Sequence, residues 1–422
     1  MQQEKPTSIN KKFDLIIITI HDFKKHLMPL VGHKNKLGIK TKIVDIEEIY
    51  EGHYFRKKGI DKAEKIKYFI KNSIENWNTK YIMLVGDINK IPIRKIHVWD
   101  GTFITDLYYS NIYNKDGSFS NWDTNKNGFF GEYHHKGKTD LIDLNPDIGV
   151  GRLACKNGFE VINVVRKIIN YEKQTYGKDW FKRIILCGGN IAGINTKYEK
   201  YWSWVGKGCS EGEYHNELIK NEMEGFKPIE FRQSKNNINR ISIIKELNKG
   251  SGFVNFSGHA SEFKWFLKEK DNKMKTGYAI NDIFLTFNRY KLPIIFFDGC
   301  LLGRLDYKIK NFSVSPLAWK IISYRFGGAI ACIASARPEY TGIMEGGGCM
   351  LGLHFFKTYI RKEKAKEKAI LSEIYIEAQK KYLKDFGDRI ILHEFNLLGD
   401  PSLRIGGYPD NNEPKERRDN HN

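Results

Sequence analysis

Short aliphatic runs alternate with helix-length amphipathic stretches along most of this chain. Residues 14 to 20 read as a continuous apolar strand, 22 to 37 as a helix closed by Gly38, and 40 to 45 as a second strand. Ile60 to Trp77 reads as a helix, Tyr81-Ile-Met-Leu-Val-Gly86 as a strand, Ile148-Gly-Val-Gly-Arg-Leu153 as a strand, and Phe159 to Tyr176 as a long helix. Strands this short and this apolar are buried on both faces. When they are spaced by helices, they form a parallel sheet with crossover helices, because a parallel neighbour cannot be reached by a tight turn. A second such pattern begins at Arg183-Ile-Ile-Leu-Cys187. It continues through helices near 213 to 224 and 239 to 248, two further strands, a helix near 315 to 325 and the strand Ala329-Ile-Ala-Cys-Ile-Ala334. A long helix from Leu351 to Phe386 and a last strand at Ser402-Leu-Arg-Ile405 close it.

At 422 residues the chain exceeds one ordinary core and suits two α/β units of roughly 150 to 250 residues each. The expected division is an N-terminal unit, 13 to 178, a second unit, 179 to 406, and a polar, disordered tail, 407 to 422. Between 95 and 146 the first unit carries a loop-rich insertion of Asp, Asn, Gly and Tyr. The charge balance is 69 Lys+Arg against 50 Asp+Glu, or +19, but the bases are scattered among acids; no dedicated nucleic-acid surface is expected. Six dispersed cysteines without a C-x-x-C pair exclude a thiolate metal cluster and do not indicate a disulfide framework. No apolar run is long enough to span a bilayer. The polar start Met1-Gln-Gln-Glu-Lys-Pro, followed only by Leu15 to Ile20, reads as an entry to the first core strand rather than a secretory segment. The expectation is a soluble monomer, cytoplasmic, or secreted if a signal was removed.

Two strands in the second unit stop on reactive residues. Gly252-Phe-Val-Asn-Phe-Ser-Gly258 ends at His259, and Leu292-Pro-Ile-Ile-Phe-Phe-Asp298-Gly299 ends at Cys300. The ends of neighbouring parallel strands share one edge of the sheet, so these residues can meet although 300 − 259 = 41 positions separate them. A thiol beside an imidazole is the pairing of a cysteine nucleophile with its general acid/base. The backbone N–H groups of Ala260 and Cys300 lie nearest in sequence to the reacting atoms and are the candidate oxyanion donors. Alternation along an extended strand points Asp298 to the side of Cys300, where a carboxylate would select Arg or Lys before the scissile bond; the alternative is a loop or helix cap. Glu211 and Glu213, opening the helix near Tyr214-His215, could reach the same cleft or favour the helix N-terminus. The loop Glu345-Gly-Gly-Gly348 is a candidate lid.

The segments Phe256-Ser-Gly-His-Ala-Ser-Glu-Phe-Lys-Trp265 and Phe297-Asp-Gly-Cys-Leu-Leu-Gly303 resemble the active-site region of the gingipain family of cysteine peptidases, within the caspase-like clan. Leu84-Val-Gly-Asp-Ile-Asn-Lys-Ile-Pro92, Asn145-Pro-Asp-Ile-Gly-Val-Gly-Arg-Leu153 and Asn396-Leu-Leu-Gly-Asp-Pro-Ser-Leu-Arg404 extend the likeness over about 13 to 406. It implies a caspase-like α/β fold of two subdomains, each with a mostly parallel sheet flanked by helices, and a His259/Cys300 dyad acting on protein or peptide substrates. The family usually has glycine after the histidine, where this chain has Ala260. Some relatives also have an acid after the strand that here reads Ile185-Leu-Cys-Gly-Gly-Asn190, so no third catalytic residue is placed. A catalytically silent relative that binds peptides is the alternative reading.

In the insertion, Asp123, Asn125 and Asn127 put oxygens at alternate positions before Gly128, and Glu132 follows. That resembles the start of a calcium loop, which needs hard oxygen ligands in close succession before a sharp turn. Position twelve is His134 rather than an acid, so the expected Ca2+ set is Asp123, Asn125, Asn127 and Glu132, in a structural role. No cofactor is expected for catalysis.

Overall fold

The computed structural model describes residues 12–190, 209–269, 271, 273–339, 341–342 and 346–409. Ten strands form one sheet: β1 (Leu15–Thr19), β2 (Thr41–Asp45), β3 (Tyr81–Val85), β4 (Gly149–Leu153), β5 (Arg183–Gly188), β6 (Lys227–Arg232), β7 (Phe253–Ser257), β8 (Ile294–Asp298), β9 (Ala331–Ser335) and β10 (Phe395–Leu398). Their spatial order is β2-β1-β3-β4-β10-β9-β8-β7-β5-β6. Every neighbouring pair is parallel except β9 with β10. The sheet therefore consists of two parallel blocks running in opposite directions and joined at one antiparallel seam. Most of these strands, including β1, β3, β7, β8 and β9, are buried at every residue, the pattern of strands covered on both faces.

Helices α1 (Lys24–Lys36), α2 (Lys62–Trp77), α3 (Gly158–Gln174), α4 (Glu211–Glu222), α5 (Arg240–Lys249), α6 (Leu317–Ser323), α7 (Gly348–Lys364) and α8 (Leu371–Phe386) flank it. Several start where an Asp or Asn side chain accepts a free N–H of the first turn: Asp61 from Glu64 (2.8 Å), Asn157 from Glu160 (3.0 Å) and Asn239 from Ile241 (2.9 Å). None of the described helices is long and apolar enough to cross a membrane.

Two expectations at the C-terminal end are corrected. The stretch from Leu351 to Phe386 is not one helix: α7 stops at Lys364, Lys366 takes φ 55°, and α8 starts at Leu371. The intervening residues are diverted into backbone pairing, with Ile405 N–H donating to Ala369 O (2.8 Å) and Ile370 bridging Arg404. Ser402 to Ile405 is consequently a partner of this turn, and the last strand is β10, upstream of it. Because β10 lies against β4, the chain's end returns to the first block, and the sheet runs unbroken across both halves. The tail from 410 onward lies outside the described residues.

The insertion is anchored rather than loose. Its hairpin, Arg94–Val98 with Gly101–Thr105, leads to Tyr108, Tyr109 and Trp122, all fully buried. Arg94 forms a bidentate pair with Asp61 (2.7 and 3.0 Å) and lies over the rings of Tyr108 and Phe130. Buried Arg152 ties two of the family-like segments together. Its guanidinium pairs with Asp106 (2.7 Å) and donates to the carbonyls of Gly86, Ile91 and Pro92, fastening β4 to the turn after β3.

Candidate active site

β7 and β8 are hydrogen-bonded parallel neighbours with Ser257 opposite Asp298. His259 and Cys300 each lie two residues beyond that matched pair, 257 + 2 and 298 + 2, so the register brings the two strand exits side by side. Gly258 N–H donates to Asp298 O (3.1 Å) across the exits. The glycines are there for close approach. A Cβ on Gly299 would stand 3.0 Å from both Ala260 Cβ and Gly258 O, and one on Gly258 would stand 2.8 Å from Trp265 Nε1.

After Gly258 the chain leaves the main sheet for a three-stranded ribbon, 259–261, 264–268 and 274–279, in which His259 pairs with Phe266. The part-exposed imidazole stacks parallel to the Phe266 ring, with centroids 5.8 Å apart. Ala260 has a negative φ, so the alanine that replaces the usual glycine carries no backbone strain. The strained residue is Leu301, at φ 64°, immediately after the nucleophile candidate. Its N–H donates to Arg337 O (2.9 Å), and Gly303 N–H donates to Ser335 O (2.7 Å), which fastens the Cys300 turn to the end of β9.

All six cysteines are free thiols, and Cys300 alone is part-exposed. Burial pushes the Cys155, Cys187, Cys332 and Cys349 thiols far above the ordinary range. Burial also raises the Cys300 thiol, a hydrogen bond from Glu339 N–H opposes this, and Glu394 and Asp298 add to the rise. That N–H lies 3.4 Å from Sγ, while Sγ–H points to Glu339 O at 3.6 Å. Glu339 thus embraces the sulfur with its main chain, a role that nothing in the sequence around Arg337-Pro-Glu339 signals.

The two proposed substrate carboxylates, Asp298 and Glu213, are both buried. Asp298 is 2% exposed; it accepts the Ser257 hydroxyl, and its Oδ2 lies 3.6 Å from His215 Nδ1 of α4. The strand ends at Asp298, so the alternation that would align it with Cys300 does not extend through the turn that follows. Glu213 is 1% exposed and accepts Ser234 N–H (2.8 Å), Ser234 Oγ (2.5 Å) and Ser210 Oγ (3.2 Å), tying the start of α4 to the turn after β6. Of the candidate lid, Gly346 and Gly347 pair with Thr341 and Gly342, whereas Glu345 lies outside the described residues.

The insertion brings its four oxygen-bearing residues together. Asp123 accepts the N–H groups of Asn127 (2.9 Å) and Gly128 (3.0 Å), and Glu132 Oε2 accepts the side-chain amides of Asn125 (2.6 Å) and Asn127 (2.7 Å). Burial would raise the Glu132 carboxyl, but the Asn125 and Asn127 donors outweigh it and hold it below its ordinary value. Asp140, which the spacing did not reveal, locks the loop by accepting from Thr124 N–H (2.6 Å) and Glu132 N–H (2.9 Å). No three His, Cys, Asp or Glu side chains among the described residues form a metal-ligating group. A cation here would use the Asn oxygens as well, and that hard oxygen set fits calcium. The same loop supports the hairpin through Tyr133 N–H to His97 O (2.9 Å), and at the hairpin tip Asp100 pairs with Arg337 (2.7 Å), two residues before Glu339.

Residues 8–406 match peptidase family C25. The chain is 21% identical over 402 residues to gingipain R2 of Porphyromonas gingivalis, covering 93% of this chain and 46% of that protein. It is equally similar to gingipain R1 of the same organism, of which it covers 34%. It therefore spans less than half the length of these relatives. Among solved structures, the Arg-specific cysteine proteinase gingipain R superposes with a TM-score of 0.67 at 19% identity, over 94% of this chain and 78% of that one. A structure described as a protease gives 0.57 at 14% identity, covering 93% and 78%. These superpositions show a shared caspase-like α/β fold, and the match along nearly the whole chain places this protein in peptidase family C25.

Proposed function

We propose that this chain is a cysteine endopeptidase that cleaves after Arg or Lys, with Cys300 as nucleophile and His259 as general acid/base. The observation that carries it is the in-register pairing of Ser257 with Asp298, which sets the histidine and the one part-exposed thiol on adjacent strand exits. In the proposed reaction Sγ attacks the scissile carbonyl carbon as its proton passes to His259. The oxyanion is received by the N–H groups of Ala260 and Cys300, and His259 returns the proton to the departing amine. Water then attacks the thioester, with His259 as base, and releases the acid product and the thiol. A preference for a basic residue is supported by the acidic surroundings of the sulfur and by the Arg specificity named for gingipain R. A peptide chloromethyl ketone ending in Arg should label the protein once, at Cys300, as mapped by mass spectrometry. Labelling of another cysteine, or no labelling together with no turnover across a peptide library, would favour the peptide-binding alternative.

We also infer a structural Ca2+ held by Asp123, Asn125, Asn127 and Glu132. Through the hairpin and Arg337 the ion would steady the segment that embraces Cys300. Chelation with EDTA should lower the melting temperature by several degrees, as loss of a ligand present at a hundredfold excess over its Kd removes about 2.7 kcal/mol. An unchanged melting temperature rules the site out.

A further inference from the structure

Exposed apolar side chains collect on one face of the second unit. Among the described residues, six of the seventeen large ones that are exposed, Tyr176, Phe284, Leu285, Phe287, Tyr290 and Phe326, surround the approach to β8, each 40 to 54% exposed. Contacts connect them: the Phe284 ring meets Tyr324 edge-on (5.9 Å), Tyr324 meets Phe326 (5.8 Å), and Arg289 N–H donates to Phe326 O (3.3 Å). Tyr176, Phe287 and Tyr290 line one cavity of about 780 Å³ with Trp180 and Tyr408. Single exposed apolar residues are ordinary on a protein surface, but a connected group marks a face that meets something apolar. The display is also firmly built. Asn248 clasps the segment by accepting Phe287 N–H (2.6 Å) and donating to Leu285 O (3.1 Å), and Asn288 accepts Gly328 N–H (2.7 Å) and donates to Gly328 O (2.9 Å). Between these anchors Arg289 is held at φ 51°, a left-handed conformation that such a residue takes only when its surroundings impose it.

The same face carries cations that the fold does not neutralise. Lys173, Lys178, Arg289 and Lys291 line the cavity, and Arg325 lies over the Phe326 ring; none of the five is in an ion pair among the described residues. No acid lines the cavity. The nearby Asp282 is already paired with Arg240, and Glu246 with Lys249 and Arg183. Asp179, on the turn with Lys178, offsets one cation and leaves a surplus of four. Elsewhere in this basic chain the charges are interspersed and paired, so the excess here is local.

The partner must be apolar and anionic together. A soluble acidic peptide or polynucleotide would satisfy the cations and leave Phe284, Leu285 and Phe287 in water. An anionic bilayer meets both needs, because its acyl boundary takes the apolar side chains while its phosphates take the lysines and arginines. We propose that this face, formed by 284–291 with 173–178 and 325–326, docks on the surface of an anionic lipid membrane. The protein lies on the bilayer by this face and does not thread it. β8 leads from the docked loop to Cys300, and its five residues span roughly 16 Å at about 3.3 Å each, so the candidate nucleophile is held off the lipid on the aqueous side.

Sedimentation of the full chain with unilamellar vesicles tests this. Vesicles of phosphatidylglycerol and phosphatidylcholine in equal parts should carry the protein down, and pure phosphatidylcholine should bind it about 100-fold more weakly, since each cation near an anionic surface strengthens binding about fivefold. Arg289→Gln with Lys291→Gln should therefore weaken binding to the mixed vesicles about 25-fold. Leu285→Ser with Phe287→Ser, which keeps every charge, should weaken it about tenfold or more. Both pairs are exposed, so either supplies the readout if the other does not fold. No sedimentation, or equal binding to the two kinds of vesicle, overturns the proposal. An apolar variant that binds like the native chain also overturns it, and tight binding of soluble polyglutamate or polyuridylate would then assign the face to a soluble polyanion. A dimer that the apolar variant dissolves, without vesicle binding, would assign it to a second copy of the chain. Alkylation of Cys300 by iodoacetamide should run equally fast on the mixed vesicles and in solution; a tenfold slowing would put the catalytic edge against the lipid and overturn the docked face.

Discussion

Cys300→Ala should reduce peptide hydrolysis by about 10⁴-fold or more, and His259→Ala should do nearly the same. The double variant should be no worse than either single one, because a nucleophile and its proton carrier act as a unit. The resting site also makes a prediction about pH. Burial and the Glu394 and Asp298 carboxylates raise the Cys300 thiol, and the Glu339 N–H only partly compensates. The free protein is therefore expected to hold a thiol, and in the proposed reaction His259 would accept its proton during attack rather than store a thiolate in advance. Alkylation of the free protein by iodoacetamide should be slow at pH 6 and accelerate as pH climbs through the raised thiol value, with no plateau on the acid side. Fast alkylation at pH 5 would reveal a standing thiolate–imidazolium pair and overturn this account. Cys332→Ala offers the contrast: that thiol is fully buried in β9, so its loss should lower stability and leave turnover per folded molecule unchanged.

The placing of His259 and Cys300 at neighbouring strand exits was legible in the sequence because it depends on local signals, two apolar strands with glycine at their exits, together with the rule that parallel strands share an edge. Most strands and helix starts were legible for the same reason. Asp61, Asn157 and Asn239 mark helix starts by chemistry that acts within three residues. What stayed hidden depends on contacts between segments far apart in the chain. The break between α7 and α8 falls in Ala365-Lys-Glu-Lys-Ala369, which contains neither Gly nor Pro and has good helix propensity. It breaks because Ala369 and Ile370 are held by the strap at 404 and 405. The partners of Asp298 and Glu213 stayed hidden for the same reason, since Ser257 and Ser234 lie 41 and 21 residues away. Glu339 was invisible likewise: its neighbours in sequence say nothing, and its place beside Cys300 comes from β9 running next to β8.

Lys34→Met should cost about 3 to 5 kcal/mol of unfolding free energy, read from urea titration at pH 7. Lys34 is fully buried between Glu172 (2.8 Å) and Asp400 (2.6 Å), and Glu172 also takes His33 Nε2 (2.9 Å) and Arg404 N–H (3.1 Å). One ammonium thus joins α1, α3 and the segment after β10, the strand that joins the two blocks. Burial alone would depress the Lys34 ammonium, but Asp400 and Glu172 outweigh it and raise it, while Lys34 and His33 outweigh burial at Glu172 and lower it. Removing the amine leaves two carboxylates buried without their lysine, and the sign of the Glu172 linkage reverses. In the native chain Glu172 has a depressed folded value, so its contribution is present above the usual carboxylate range near pH 4 and fades as pH falls through that depressed value. In Lys34→Met the burial of Glu172 is no longer outweighed by the lysine, so its folded value rises, and this contribution is most favourable at low pH and declines as pH rises. The deficit should therefore shrink between pH 7 and pH 5, and Lys34→Met with Glu172→Leu should recover part of it by removing one uncompensated charge. A deficit that is the same at both pH values would show that the loss comes from packing of the lysine stem, and that the triad's charges do not hold the segment after β10 in place.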